Sequence, residues 1–234
     1  MNILAIDSAC SVLSVAVSKN EDVYYIETDA GTSHSEHVMG FVDDMMNKAC
    51  LKPDELDCVL CMEGPGSFTG LRIGFSVAKG LALSLSIPFI PVPTLDCIAY
   101  PYRENILVLP VIESKKNSWF YALYRGDKCI LPAADEPSDL IAKTLEKYIK
   151  TENVILTGPG AAALVVALAT ALYETLPKEL SDNLTLKSEK HGFAKELIAI
   201  AKSKKLLDNV NTDCIYSVPE YIRNANVGAS FKNE

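Results

Sequence analysis

A chain of 234 residues, 49% of them hydrophobic and 22% charged, has the composition of a folded globular protein with room for one large domain or two small ones. Its formal charge of −8, from 30 acidic against 22 basic residues, excludes broad nucleic-acid binding driven by phosphate neutralisation. Seven scattered cysteines exclude a disulfide framework. The opening MNILAIDSAC has no early Lys or Arg and is interrupted by Asp7, and the apolar helical run at 161–172 is too short for a bilayer, so a cytoplasmic protein without a membrane span is expected.

In chain order, Ile3-Leu4-Ala5-Ile6, a turn over Asp7 to Ser11, and Val12 to Val17 predict a β-hairpin, with a third strand over Val23 to Ile26. Ser33 and Glu36 have capping-box spacing, and the helix they open places Val38, Phe41, Val42, Met45 and Ala49 on one side. A strand at Cys58 to Met62 leads through Gly64-Pro65-Gly66 into a helix over residues 68–85. Cys58 and Cys61 are three apart in that strand and so point to opposite faces, as buried thiols rather than half a zinc site. Pro88, Pro91, Pro93 and Pro101 mark residues 88–105 as a domain boundary. Beyond it lie strands over 106–112 and 119–124, a turn at Arg125-Gly126-Asp127, a returning strand over 128–131 and a helix over 138–149. Val154 to Thr157 then leads through Gly158-Pro159-Gly160 into an Ala-rich helix, and a last helix covers 193–207. The order strand, Gly-Pro-Gly, helix thus occurs twice, which points to a duplicated α/β unit whose two loops face one another across a cleft.

The stretch GPGSFTGLRIG fails both standard phosphate motifs: no glycine stands five positions after Gly64 or Gly66, no Lys-Ser or Lys-Thr pair follows, and Thr69 stands where a dinucleotide fingerprint needs glycine. Positions 66, 70, 74, 78, 82 and 86 are Gly, Gly, Gly, Ala, Ala and Ser, a helical ridge with almost no side-chain bulk. That ridge is either an intramolecular contact or a seat for a helix of another protein, and both readings stand at this point. In the amino-terminal hairpin, Asp7, Ser8 and Ser11 form a candidate vestigial phosphate site, Asp7 towards Mg²⁺ and the serines towards oxygens; the competing reading has Asp7 and Ser8 satisfying turn amides. His34 and His37 share a helix face without a third ligand, His191 stands alone, and no catalytic group or metal ligand set is nominated. The lysines at 202–205, at a helix end, are read as solvated.

The segments ILAIDSACSVLSVAV, HSEHVM, GPGSFTGLRIGFSVAKGLAL, VPTL at 92–95 and PEYIR at 219–223 together resemble the TsaB family of bacterial tRNA threonylcarbamoyladenosine biosynthesis proteins, relatives of the actin, hexokinase and Hsp70 (ASKHA) superfamily and of the glycoprotease family. The likeness is close over the first hundred residues and scattered beyond.

The resemblance implies an α/β fold of two ASKHA (actin/ribonuclease H-like) subdomains, residues 1–103 and a reduced second one at 104–215, with a tail at 216–234. It implies a non-catalytic partner of TsaD in threonylcarbamoyl transfer to adenosine 37 of tRNAs reading ANN codons, with TsaE in a larger assembly, a homodimer as an option for the isolated chain, and tRNA met only through the complex. It further implies that the Ser33 helix and the glycine-lined helix pack against TsaD, through Val38, Met39, Val42 and Met46 on the first and Gly70, Gly74 and Ala78 on the second. No tightly bound cofactor is expected, ATP or ADP with Mg belonging to the assembled complex. Where relatives often read Asp-Ala-Arg-Arg, this chain has Glu113-Ser114-Lys115-Lys116, which loses the bidentate fork of arginine. An active ASKHA-type ATPase or sugar kinase, and a metallopeptidase-like activity, are the alternatives.

Overall fold

The computed structural model describes residues 1–29, 31, 33–104, 106–171, 183–188, 190–204, 206 and 217–222. The first half builds β1 (Ile3–Asp7), β2 (Val12–Lys19), β3 (Asp22–Asp29), α1 (His34–Lys48), β4 (Cys58–Gly64), α2 (Phe68–Leu85) and β5 (Phe89–Pro93). Its sheet has the order β3-β2-β1-β4-β5: β1 pairs antiparallel with β2 and parallel with β4, because the hairpin turn is short whereas β4 is reached through a helix. A short helix α3 (Thr94–Ala99) follows, then β6 (Leu107–Lys115), β7 (Ser118–Arg125), β8 (Lys128–Pro137), α4 (Ser138–Ile149), β9 (Val154–Thr157), α5 (Ala161–Ala171), β10 (Leu184–Lys187) and α6 (Ala194–Ser203).

The second sheet, β10-β9-β6-β7-β8, repeats the first: a three-strand antiparallel meander, then two parallel strands reached through helices. The duplicated unit read from the two Gly-Pro-Gly loops is therefore present, and the second copy is reduced in the length of its last two strands, not in their number.

Alternation along the strands divides the core into three layers. Leu4 and Ile6 of β1 face a layer under α1 and α2, with Val38, Val42, Met45 and Phe75. Ile3 and Ala5 face the layer between the two sheets, which α3 and α6 fill with Leu95, Ile98, Phe193, Leu197 and Ile198 and to which β6 and β7 contribute Val108 and Tyr124. Leu107, Leu109 and Trp119 face the third layer, under α4 and α5. Cys58 belongs to the middle layer and Cys61 to the first, so the two thiols point to opposite faces, as their spacing predicts.

The proline-marked stretch at 88–105 contains β5, whose Pro91 and Pro93 are tolerated because β5 is an edge strand, and the buried helix α3. Three local readings are corrected. β8 runs on through Pro132 to Pro137 for the same edge-strand reason. The last helix, expected in the second subdomain, packs on the first sheet. Ser33 makes no side-chain cap; Glu36 instead donates its backbone N–H to the Ser33 carbonyl at 3.1 Å.

Candidate functional site

The two Gly-Pro-Gly loops do meet across a cleft. A cavity of about 640 Å³ is lined by Pro65, Gly66 and Ser67 from the first loop, Pro159 from the second, Ala9 to Ser11 from the hairpin turn, and Ile112 to Ser114 from β6. Phe68, Phe120 and Tyr221 supply aromatic walls, while Glu113 and Glu220 supply carboxylates.

Each glycine of the first loop is explained by a neighbour in the same chain. A Cβ on Gly66 would fall 2.5 Å from the Ala9 carbonyl oxygen, and one on Gly70 would fall 2.0 Å from that of Ser8. On Gly74 it would meet Ser8 Oγ at 2.4 Å. The first turn of α2 is likewise occupied: Ser67 N donates to the Ala9 carbonyl at 2.7 Å, and Ser67 Oγ accepts from Gly70 N at 3.2 Å. Two amides that could have cradled an anion are thus spent, one on the hairpin turn and one on a cap.

Asp7 is also spent. It is fully buried, with Oδ1 accepting from Ala9 N at 3.0 Å and Oδ2 from Phe193 N at 2.7 Å. The start of α6 is in fact received by three side chains of the first sheet, since Glu27 accepts from Gly192 N at 2.7 Å and Ser14 Oγ from Ala194 N at 3.1 Å. Desolvation pushes the Asp7 carboxyl up to about 6, against the lowering effect of its two amide donors. Ser8 is buried and donates to the Gly70 carbonyl at 2.8 Å. Of the three residues of the expected phosphate site, only Ser11 faces the cleft. The correction has a simple cause: a carboxylate at a strand end suits a helix N-terminus as well as a metal-bound phosphate, and here the helix is the chain's own.

The described lining of the cleft is acidic. Among the described residues lining it there is no Lys, Arg or His, and both charged side chains are carboxylates that repel phosphates. Nor does any group of three or more His, Cys, Asp or Glu among the described residues stand as a metal site. His34 is buried with Nε2 at 3.2 Å from the Ser11 carbonyl, holding the hairpin turn, and His37 is exposed beside Phe41. Burial pushes the Cys58 thiol up to about 12 and Cys61 higher still, so neither is poised as a nucleophile. In the departing stretch, Glu113 and Ser114 line the cleft, Ser114 Oγ donates to Asp135 at 2.9 Å, and both lysines are exposed.

Most of the residues expected at a helix contact surface are buried within the chain itself. Gly70, Gly74 and Ala78 are buried against the chain's own β1 turn and β4, so the ridge at 66–86 is intramolecular. Val38, Val42 and Met46 are buried as well, and Met39 alone of the expected residues of α1 is exposed, at 44%. What α1 and α2 present outward is an open apolar groove. One part, about 450 Å³, is lined by Ser35, Val38, Met39, Ile73, Ser76 and Val77; another, about 240 Å³, continues from Met39 past Val42 and Met46 to Leu81 and Leu85. Beside it stand Gly40 on α1 and Gly80 on α2, exposed helical glycines with no atom within 4 Å of an added Cβ. The exposed small ridge of α2 is Ser76, Gly80 and Ser84, about half a turn from the buried one.

Comparison with known proteins agrees with this architecture. Residues 27–230 match the family described as "TsaD: tRNA N6-adenosine threonylcarbamoyltransferase". The tRNA threonylcarbamoyladenosine biosynthesis protein TsaB of Bacillus subtilis is 34% identical over 160 residues, covering 67% of this chain and 69% of the relative. TsaB of Buchnera aphidicola from Acyrthosiphon pisum is 30% identical over 156 residues, 65% of this chain and 70% of the relative. In fold, a Pseudomonas aeruginosa protein described as similar to peptidase YeaZ superposes with a TM-score of 0.78 at 20% identity, covering 95% of this chain and 99% of that one.

Proposed function

The chain belongs to the TsaB family of tRNA threonylcarbamoyladenosine biosynthesis proteins, and from that premise we propose that it is a non-catalytic partner of TsaD, seating TsaD helices on its α1/α2 face during threonylcarbamoyl transfer to adenosine 37 of ANN-decoding tRNAs. The observation that carries the proposal is the open groove with Gly40 and Gly80 beside it. A helical glycine costs about 1 kcal/mol against alanine. Gly70 and Gly74 offset this by close packing within the chain, whereas Gly40 and Gly80 have no neighbour that does so. A second chain laid along the groove supplies that neighbour and covers the exposed Met39 and Leu83.

The cleft supports the non-catalytic role, because both charged side chains among its described lining residues are carboxylates, and Asp7, outside that lining, is bound to two backbone amides. Under this proposal no cofactor is tightly bound, nucleotide with Mg belongs to the assembled complex, and TsaE joins the larger assembly. The −8 chain meets tRNA only through the complex. The same face serves a homodimer when TsaD is absent, and the protein works in the cytoplasm. Among the described residues no helix is long and apolar enough to cross a membrane.

The test is Gly80→Leu. Leucine favours the helix by nearly 1 kcal/mol and meets open space in the isolated chain, so folding survives while the seat is blocked. Loss of TsaD binding and of tRNA modification in a reconstituted reaction is the expected result. Unimpaired binding would show that the partner docks elsewhere.

A further inference from the structure

Residues 217–222 run back over the first half of the chain as a strap. Glu220 N donates to the Glu63 carbonyl at 2.7 Å, at the end of β4. The Glu220 carbonyl in turn occupies the space beside Gly64, whose φ of +126° and lack of a Cβ, which would fall 2.4 Å from that oxygen, admit the approach. Lys79 of α2 donates Nζ to the Ser217 carbonyl. Tyr221 then stacks on Phe68, ring centroids 5.1 Å apart, and its hydroxyl accepts from Arg72 Nε at 3.3 Å. The Arg72 guanidinium lies 3.8 Å from the centre of the Phe68 ring. Phe68 and Arg72 also line the end of the α1/α2 groove.

We propose that this strap is a built part of the partner surface: Tyr221, by stacking on Phe68 and binding Arg72 Nε, fixes the exposed Arg72 guanidinium at the mouth of the apolar groove, where it receives a carboxylate at the edge of the partner's docked helix. The inference rests on the reading of the α1/α2 face given above and specifies the chemistry of what docks there, an apolar helix face bordered by an acidic side chain. Arg72 is a suitable anchor because only its Nε is used within the described residues, leaving both Nη groups with the fork that matches a carboxylate. A guanidinium already held by a ring and a hydroxyl loses less freedom on docking than one on a free side chain. Aromatic and arginine anchors beside an apolar pocket are the usual seat of binding energy at interfaces.

Affinity for purified TsaD of the same organism is measured with the full chain and with Arg72→Ala, Tyr221→Ala, Tyr221→Phe and the double variant Arg72→Ala/Tyr221→Ala, alongside thermal melting of each. Arg72→Ala and Tyr221→Ala are each expected to weaken binding roughly tenfold, with melting temperatures held. Tyr221→Phe, which keeps the ring and loses the acceptor, should fall between. The double variant should bind no worse than Arg72→Ala alone, because Tyr221 acts through Arg72. Added salt should weaken the parent complex more than the Arg72→Ala complex. Unchanged affinity in Tyr221→Ala, additive losses in the double variant, or equal salt dependence would each overturn the proposal. If Gly80→Leu abolishes binding while these variants bind normally, only the strap proposal fails; if Gly80→Leu binds normally, the helix-face reading fails on its own.

Discussion

Gly74 lies directly against Ser8: a Cβ added to it would fall 2.4 Å from Ser8 Oγ and 3.0 Å from Cys61 Sγ. Ser8 is itself buried and tied to the Gly70 carbonyl, so neither neighbour can yield without opening the contact between α2 and the end of β1. Gly74→Leu should therefore destabilise the isolated chain by about 1–3 kcal/mol, as overpacking does. At roughly 2–4 °C per kcal/mol for a chain of this size, the melting temperature should drop by several degrees. Gly80→Leu, on the opposite side of the same helix, should raise it. A thermal melt of the two variants side by side checks both signs, and a Gly74→Leu chain that melts no earlier than the parent would contradict the buried placement.

The contrast between these glycines shows what was legible in the sequence. The four-residue spacing of 66, 70, 74 and 78 announced a close helix contact, but spacing carries no information on which side of the helix the sheet lies. The burial of Phe75, Ala78 and Ala82 settles it, and the free ridge is Ser76, Gly80 and Ser84. The hairpin, the duplicated unit and the opposed thiols were readable because period-two alternation and turn residues are local signals. The role of Asp7 was not, because its partner, the start of α6, is 186 residues away in sequence. The strap could be seen as a motif, but nothing local told that Gly64 and Phe68 receive it.

Asp96 joins three elements that local patterns could not connect. Its carboxylate binds Arg103 and Lys204, and the Arg103 guanidinium lies 4.5 Å from the centre of the Tyr124 ring of β7. The lysine cluster at 202–205 is thus not wholly solvated, since Lys204 anchors the end of α6 to α3. The Asp96 side chain is 9% exposed and that of Arg103 6%. Removing one member of such a buried group leaves an uncompensated charge, so Asp96→Ala should cost about 3–5 kcal/mol. Urea unfolding should show a lowered midpoint with an unchanged slope. A loss within about 0.5 kcal/mol, as for an ordinary surface substitution, would mean the pair is solvated in solution.

The cleft makes a prediction about nucleotides. With Glu113 and Glu220 on its walls and no cation among the described lining residues, it should reject Mg-ATP. A ligand at a hundred times its dissociation constant adds about 2.7 kcal/mol of stability, which a melting curve would register. Millimolar Mg-ATP should leave the melting temperature of the isolated chain unchanged, and turnover should stay far below roughly 1 s⁻¹, the low end of typical enzymes. A clear upward shift, or turnover at that level from contaminant-free protein, would reopen the ATPase reading.

Asp7 should leave a signature in the pH dependence of stability. Burial raises its carboxyl from 3.8 to about 6 in the folded chain, so between those values the folded state holds the proton more tightly than the unfolded state. The stability this contributes is fully present below about pH 4 and is lost as pH rises through about 6. Each pH unit across that window is worth roughly 1.4 kcal/mol for a single fully shifted group. The groups acting on Asp7 are the Phe193 and Ala9 amides, Glu196 and His34, and Glu196 is also raised by burial while Glu27, beside it at the start of α6, is lowered. Total stability therefore mixes several titrations, and the informative quantity is the difference between the parent and Asp7→Asn. Asparagine offers a single acceptor oxygen, so one of the two amides goes unpaired at every pH, a constant cost of about 1–3 kcal/mol. It does not ionise, so it lacks the pH-dependent part. Denaturant unfolding from pH 4 to pH 7 should show the parent's advantage over Asp7→Asn largest at pH 4 and shrinking as pH rises. Parallel curves would mean that Asp7 titrates alike in the folded and unfolded chains and that its burial against α6 does not hold in solution.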